Sequence, residues 1–122
     1  MKQPGPNHPI TITRSSKRVR VTFAGKTIAD STRALTLKEA SYPAINYVPR
    51  ADTDMGALER TDHASHCPYK GDASYFTISV DGRSAANAVW TYEQPYPAVA
   101  EIKDHLAFYP DRVDAIEAHP AS

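Results

Sequence analysis

The sequence predicts a single, mainly β domain of the α+β kind, on three observations. Short apolar runs alternate residue by residue with polar neighbours, most clearly where Val19, Val21 and Phe23 are interleaved with Arg18, Arg20 and Thr22; that is the period of a half-buried strand. Turn pairs ending in glycine, Ala24-Gly25 and Asp81-Gly82, separate such runs in the way hairpin turns do. Only one stretch, near the C-terminus, spaces its apolar residues as a helix would.

Taken in order, Ile10 and Ile12 alternate with polar residues and open the first strand. The strand through Phe23 ends at Ala24-Gly25-Lys26, where glycine accepts a positive φ without a Cβ clash. Residues 27–31 and 33–37 read as the next two strands. Pro43 and Pro49 bracket residues 44–48, which assigns that segment to an edge strand or an extended piece, because proline cannot donate to an interior ladder. Residues 51–66 are polar, with a strand over 59–65. Residues 75–80 are aromatic and β-branched, and Asp81-Gly82 turns them into a strand over 84–92, with Val89 and Trp90 on opposite faces. Pro97 then sits at a first helical position. Val99, Ile102 and Leu106 follow at spacings of three and four, predicting a C-terminal helix near residues 97–106. Pro110 ends that segment, and residues 107–109 and 113–116 close the domain as strands. Residues 1–7 are expected to form a flexible arm before a domain over 8–119, with the tail beyond His119 fraying.

At 122 residues the chain fits one domain and buries about two-thirds of its unfolded surface without needing a covalent staple. Cys67 is its only cysteine, which excludes an internal disulfide and suits a reducing, cytoplasmic setting. The first residues carry no apolar core of a signal peptide, and no apolar run approaches the roughly 18 residues of a membrane helix. Net charge is zero, yet through Arg50 nine basic residues face two acids, Asp30 and Glu39, and beyond it five basic residues face twelve acids. The expectation is that the two halves interleave and pair their charges. Arg14, Lys17, Arg18 and Arg20 form a short basic strip, but two of them are the solvent face of an ordinary strand, so nucleic acid is not the expected partner.

The segments His8-Pro9-Ile10, Arg18-Val19-Arg20-Val21, Ile28-Ala29-Asp30-Ser31, Tyr47-Val48-Pro49-Arg50-Ala51-Asp52, Cys67-Pro68-Tyr69-Lys70-Gly71, Ala88-Val89-Trp90 and Ala107-Phe108-Tyr109-Pro110-Asp111-Arg112-Val113 occur in this order. Together they resemble the bacterial and fungal family called domain of unknown function 427, over about residues 8–117. The resemblance implies a small domain with a strongly bent antiparallel sheet, similar to the β-tent or Mss4-like group. Relatives in that group hold zinc between paired Cys-x-x-Cys knuckles; one cysteine cannot supply that site. The family has also carried a nucleotidyltransferase-like label, but the chain has no Gly-rich phosphate loop and no Gly-Ser followed by paired acids.

The residues themselves offer several candidates. Cys67 has His63, His66 and Lys70 close in sequence, and a thiolate needs nearby positive charge or a base to be nucleophilic; the alternative is a small buried sulfur with Lys70 exposed. His63-x-x-His66-Cys67 supplies three metal donors at most where zinc takes four, so no metal and no cofactor are assigned. Arg50 follows a rigid Tyr47-Val48-Pro49 segment and precedes Asp52, and its fork of donors suits a carboxylate or phosphate; the alternative is a salt bridge to Asp52 or Glu93. Tyr47, Tyr69 and Tyr75 flank these motifs and can line a pocket, whereas Trp90 reads as core. Asp111-Arg112 reads as turn chemistry, and His105 as a residue near a helix C-terminus. The resulting expectation is a pocket in which Arg50 and Lys70 grip a small anion and Tyr47, Tyr69 and Tyr75 pack its apolar part. Cys67 or Lys70 would carry chemistry if there is any. The competing expectation is an interaction or structural module without catalysis. Residues 43–49, as an edge, would permit a homodimer.

Overall fold

A computed structural model describes residues 1–120 and contains ten antiparallel strands in two sheets. The strands are β1 (Ile10–Arg14), β2 (Lys17–Phe23), β3 (Lys26–Ser31), β4 (Leu35–Glu39), β5 (Ile45–Pro49), β6 (Leu58–Cys67), β7 (Gly71–Val80), β8 (Arg83–Thr91), β9 (His105–Phe108) and β10 (Ala115–Pro120). Seven of them form a sheet in the order β1-β4-β5-β9-β8-β7-β6, and three form another in the order β10-β2-β3. The mainly β class is therefore as the alternation predicts. Both predicted hairpin turns are present: Ala24 and Gly25 adopt φ of 51° and 76°, and Asp81 and Gly82 adopt 49° and 80°. Positive φ at both central residues matches the turn to the right-handed twist of its strands.

The large sheet buries both of its faces. On one side, Val48, Phe76, Ile78, Val89, Leu106 and Phe108 pack against Val19, Val21, Phe23 and Ile28 of the small sheet. On the other, Leu37, Tyr47, Ala73, Tyr75, Tyr92 and Ala107 form a second core, closed over by Val99 and Ile102. Period-two alternation sorts neighbours between the two cores, so Val48 enters the first and Tyr47 the second, and Val89 and Trp90 part in the same way.

Two expectations are corrected. The helix near residues 97–106 does not form. Pro97–Ile102 is a 3-10 segment broken at Val99 (φ −125°, ψ 26°), and Leu106 lies in the strand β9. Six residues are too few to hold a helix by themselves. Meanwhile β9 gains backbone partners on both sides, with Leu106 opposite both Val48 and Thr91. His105 is accordingly a strand residue, with its Nδ1 2.9 Å from the Lys103 carbonyl oxygen. Secondly, β5 is not an edge. Its first half pairs with β4 and its last two residues with β9, and Pro49 falls at the strand end, where a missing N–H is tolerated. The edges of the large sheet are β1 and β6, with β5 inside the strand order.

The ends also differ from expectation in detail. Lys2 N donates to the Pro68 carbonyl (2.7 Å), and Gly5 bridges His8, which ties the arm to the domain at two points. Pro120 belongs to β10 opposite Lys17, and the rest of the tail expected to fray lies outside the described residues. The two halves of the chain do pair charges, through Arg33–Asp52, Lys26–Asp54, Arg50–Glu93 and Lys70–Glu39.

Candidate functional site

The second core does not close completely. It opens into a pocket of about 220 Å³ lined by Glu39, Tyr42, Tyr47, Lys70, Tyr75, Trp90, Tyr92 and Tyr109, with Leu37, Pro43 and Ile45 between them. Six aromatic rings and one ion pair thus share one small space. Inward positions of β4, β5, β7 and β8 supply Glu39, Tyr47, Tyr75 and Trp90. Tyr42 lies on the turn between β4 and β5 and is 61% exposed at the rim.

Lys70 is the residue that the sequence least explains. It is only 8% exposed, and its ammonium donates to Glu39 Oε1. The other carboxylate oxygen of Glu39 meets His8 Nε2 at 2.7 Å, and the ring of Tyr92 lies 6.0 Å from the Lys70 ammonium. Burial opposes the charge on Glu39, but the hydrogen bonds from Lys70 and then His8 outweigh it and hold the carboxyl below its ordinary range. The backbone is shaped to the same end. Gly71 adopts φ +111°, and a Cβ there would meet the Gln94 carbonyl oxygen at 3.4 Å; Lys70 O accepts from Tyr96 N at 3.0 Å.

The aromatic wall is hydrogen-bonded internally. Trp90 Nε1 donates to Tyr47 Oη (3.2 Å), and Tyr75 Oη shares a proton with Ser65 Oγ (2.8 Å). Trp90 leans on Tyr109, with ring centres 4.5 Å apart. Burial pushes the phenols of Tyr47 and Tyr92 well above the ordinary tyrosine value. Burial, and after it the neighbouring Tyr75 hydroxyl, pushes Tyr109 up to about 12. At neutral pH the wall consequently presents uncharged hydroxyls able to donate.

The residues singled out from sequence divide. Tyr47, Lys70 and Tyr75 line this pocket. Tyr69 does not; it stacks on His8 at 3.9 Å, almost parallel, and thereby steadies the imidazole that reaches Glu39. Arg50 lies elsewhere, 3.4 Å from Glu93 Oε2 and with its guanidinium 5.7 Å from the Phe76 ring; this is the Glu93 salt bridge weighed as its alternative. Asp52 is held by Arg33 and Ser31. Cys67 is half-buried against the second core. His63 meets the Tyr75 ring edge-on at 4.4 Å, and His66 Nδ1 lies 2.7 Å from Asp72. Among the described residues no three His, Cys, Asp or Glu side chains gather as a metal would need.

Sequence reasoning missed Glu39 and His8. Glu39 is one of two acids among the first fifty residues, and the other, Asp30, is claimed by Arg18, whose hydrogen bond pulls its carboxyl down to about 2. Acids that rare in a basic half were the available signal.

Both carboxylates have lowered folded values, so each contributes stability above the ordinary carboxylate range and loses it as pH falls through the folded value. The melting temperature, followed by circular dichroism, should be nearly flat above about pH 5 and fall between about pH 4 and pH 2. A melting temperature unchanged down to pH 2 would contradict these pairings.

Residues 11–119, nearly the whole chain, match a family described as a domain of unknown function, DUF427. No curated protein matches the chain.

Proposed function

We propose that this chain, which belongs to the DUF427 family, binds a small molecule with a ring-shaped apolar body and one anionic group in the aromatic pocket. The observation that carries this reading is the buried Lys70–Glu39 pair at a pocket walled by Tyr42, Tyr47, Tyr75, Trp90, Tyr92 and Tyr109. A buried ion pair contributes little net stability compared with apolar packing of the same volume, so its retention beside an open space favours a ligand contact. The site is rich in donors. The Lys70 ammonium has three protons, of which Glu39 engages one, and burial keeps the phenols of Tyr47, Tyr92 and Tyr109 protonated. The only carboxylate, Glu39, already accepts from two partners. Such a lining suits an acceptor such as a ligand carboxylate, with the rings covering the apolar body. A volume below the roughly 300 Å³ of ordinary drug-sized sites restricts the ligand to about one ring and its substituents.

The reading is of binding, with Lys70 held in an ion pair and Cys67 without an orienting base; no catalytic step is assigned to either. We also read the two-sheet arrangement as a β-tent, Mss4-like scaffold without its zinc, and the half-buried free thiol of Cys67 as suited to a reducing, cytoplasmic setting.

Trp90 is the only tryptophan and lines the pocket, so its emission reports directly on occupancy. Titration with a panel of aromatic and cyclic carboxylates should quench or shift that emission saturably for some members. Lys70→Met should weaken the same titration by about tenfold or more, the size of one charge-assisted contact. If no member perturbs Trp90, and native mass spectrometry of purified protein finds no retained small molecule, the rings are packing and a protein-interaction role takes their place.

A further inference from the structure

We propose that a depression over the small sheet, sharing no lining residue with the aromatic pocket, binds the phosphoryl group of a small phosphate ester, with Arg20 as its anchor. The depression measures about 550 Å³ and is lined by Arg18, Arg20, Asp30, Ser31, Thr32, Arg33, Asp52, His119 and Pro120. Alternation along β2 turns Val19, Val21 and Phe23 inward and leaves Arg18 and Arg20 together on the outer face. Pairing with β3 sets Asp30 opposite Arg20, and pairing with β10 sets His119 opposite Arg18.

The three arginines are not equivalent. Arg18 forms a two-point pair with Asp30, at 2.6 and 2.5 Å. Arg33 forms another with Asp52, at 2.8 and 3.1 Å, and the same carboxylate accepts from Ser31 Oγ at 2.6 Å. Arg20 has a single contact, 3.3 Å from the Asp30 oxygen that Arg18 already occupies. Its Nε is buried and has no hydrogen-bond partner among the described residues. A buried guanidinium donor left unpaired is costly, and a reorientation that turned its Nε and Nη together onto an anion would relieve that cost.

Three guanidiniums share Asp30 and Asp52 in the lining, and Glu117, opposite Arg20 on β10 and 3.3 Å from His119 Nε2, stands beside it. A phosphoryl group would replace the weak Asp30 contact of Arg20, whose planar two-donor edge matches its oxygens. A nucleic-acid strand would instead need an extended stripe of unpaired cations, whereas Asp30 and Asp52 interrupt this one.

The test is an NMR titration of ¹⁵N-labelled protein with glycerol phosphate and with inorganic phosphate, following the arginine Nε–H signals. The Arg20 signal should move saturably, and Arg20→Gln should lose about tenfold or more in affinity. Arg83→Gln, which breaks a surface pair with Asp114, should bind as the parent does. If Arg20→Gln does not fold, Arg33→Gln and the parent's Arg20 signal decide the matter. No movement at about 10 mM ligand, or unchanged affinity in a folded Arg20→Gln, overturns the assignment. So does an oligonucleotide that binds about a hundredfold tighter than the ester with a steep salt dependence, since the ligand would then be a polyanion.

Discussion

Replacing Lys70 by alanine is expected to destabilise the protein by about 3 kcal/mol, because it leaves a partly buried carboxylate with one partner in place of two. Glu39 keeps only 13% of its side chain exposed, and Lys70 only 11%, so water cannot readily replace the ammonium. The cost belongs to the orphaned charge rather than to the pair. The double variant Lys70→Met with Glu39→Leu should therefore recover most of the loss, and the two changes should be strongly non-additive. Urea unfolding followed by far-UV circular dichroism measures all three proteins. A cost below about 1 kcal/mol for Lys70→Ala would mean that the pair behaves like an exposed one. The pocket would then have no preformed charged end.

The second large effect is in the other core. Leu106→Ala should cost about 3–4 kcal/mol, the range for a fully buried leucine whose surroundings cannot collapse. Leu106 is 0% exposed and is placed by backbone pairing to both Val48 and Thr91, so rigid strands on either side hold the vacated space open. Leu106→Ile keeps the volume and suits a strand, and should cost less than about 1.5 kcal/mol. Equal losses in the two variants would show that shape at this position, and not the missing methyl groups, controls the outcome.

Leu106 also shows where the sequence stops being legible. Val99, Ile102 and Leu106 fall at helical spacing, and all three are buried, so the burial inference was right while the period was misread. The residues enter two different cores for two different reasons. Spacing alone cannot reveal that a slot between β5 and β8 waits for a strand. The same blindness made residues 44–48 look like an edge, since the prolines that bracket them are visible and the neighbours β4 and β9 are not. Local signals fared better. Both glycine turns, the alternation of β2 and the opposite facing of Val89 and Trp90 depend on residues close in sequence, and each is present. In the candidate site, Tyr47, Tyr75 and Lys70 could be named because rare residue types cluster around them. Glu39 and His8 could not be linked to Lys70, because the Lys70–Glu39 and Glu39–His8 contacts each span thirty-one residues. For Arg50 both readings were open, since a guanidinium on a rigid segment is as well suited to Glu93 as to a ligand, and the structure shows the Glu93 contact.

The pairing of β2 with β10 also has a kinetic meaning. Residues 17–22 find their outer neighbour only in residues 115–120, so the small sheet cannot be completed during synthesis until the six strands β4 to β9 between them have been made. Val19 and Val21 remain for that interval without the flanking strand that brings Ile116 beside them. Loop closure over such a distance is slow, and an early hairpin of β2 and β3 with one open apolar face is a natural client for a chaperone.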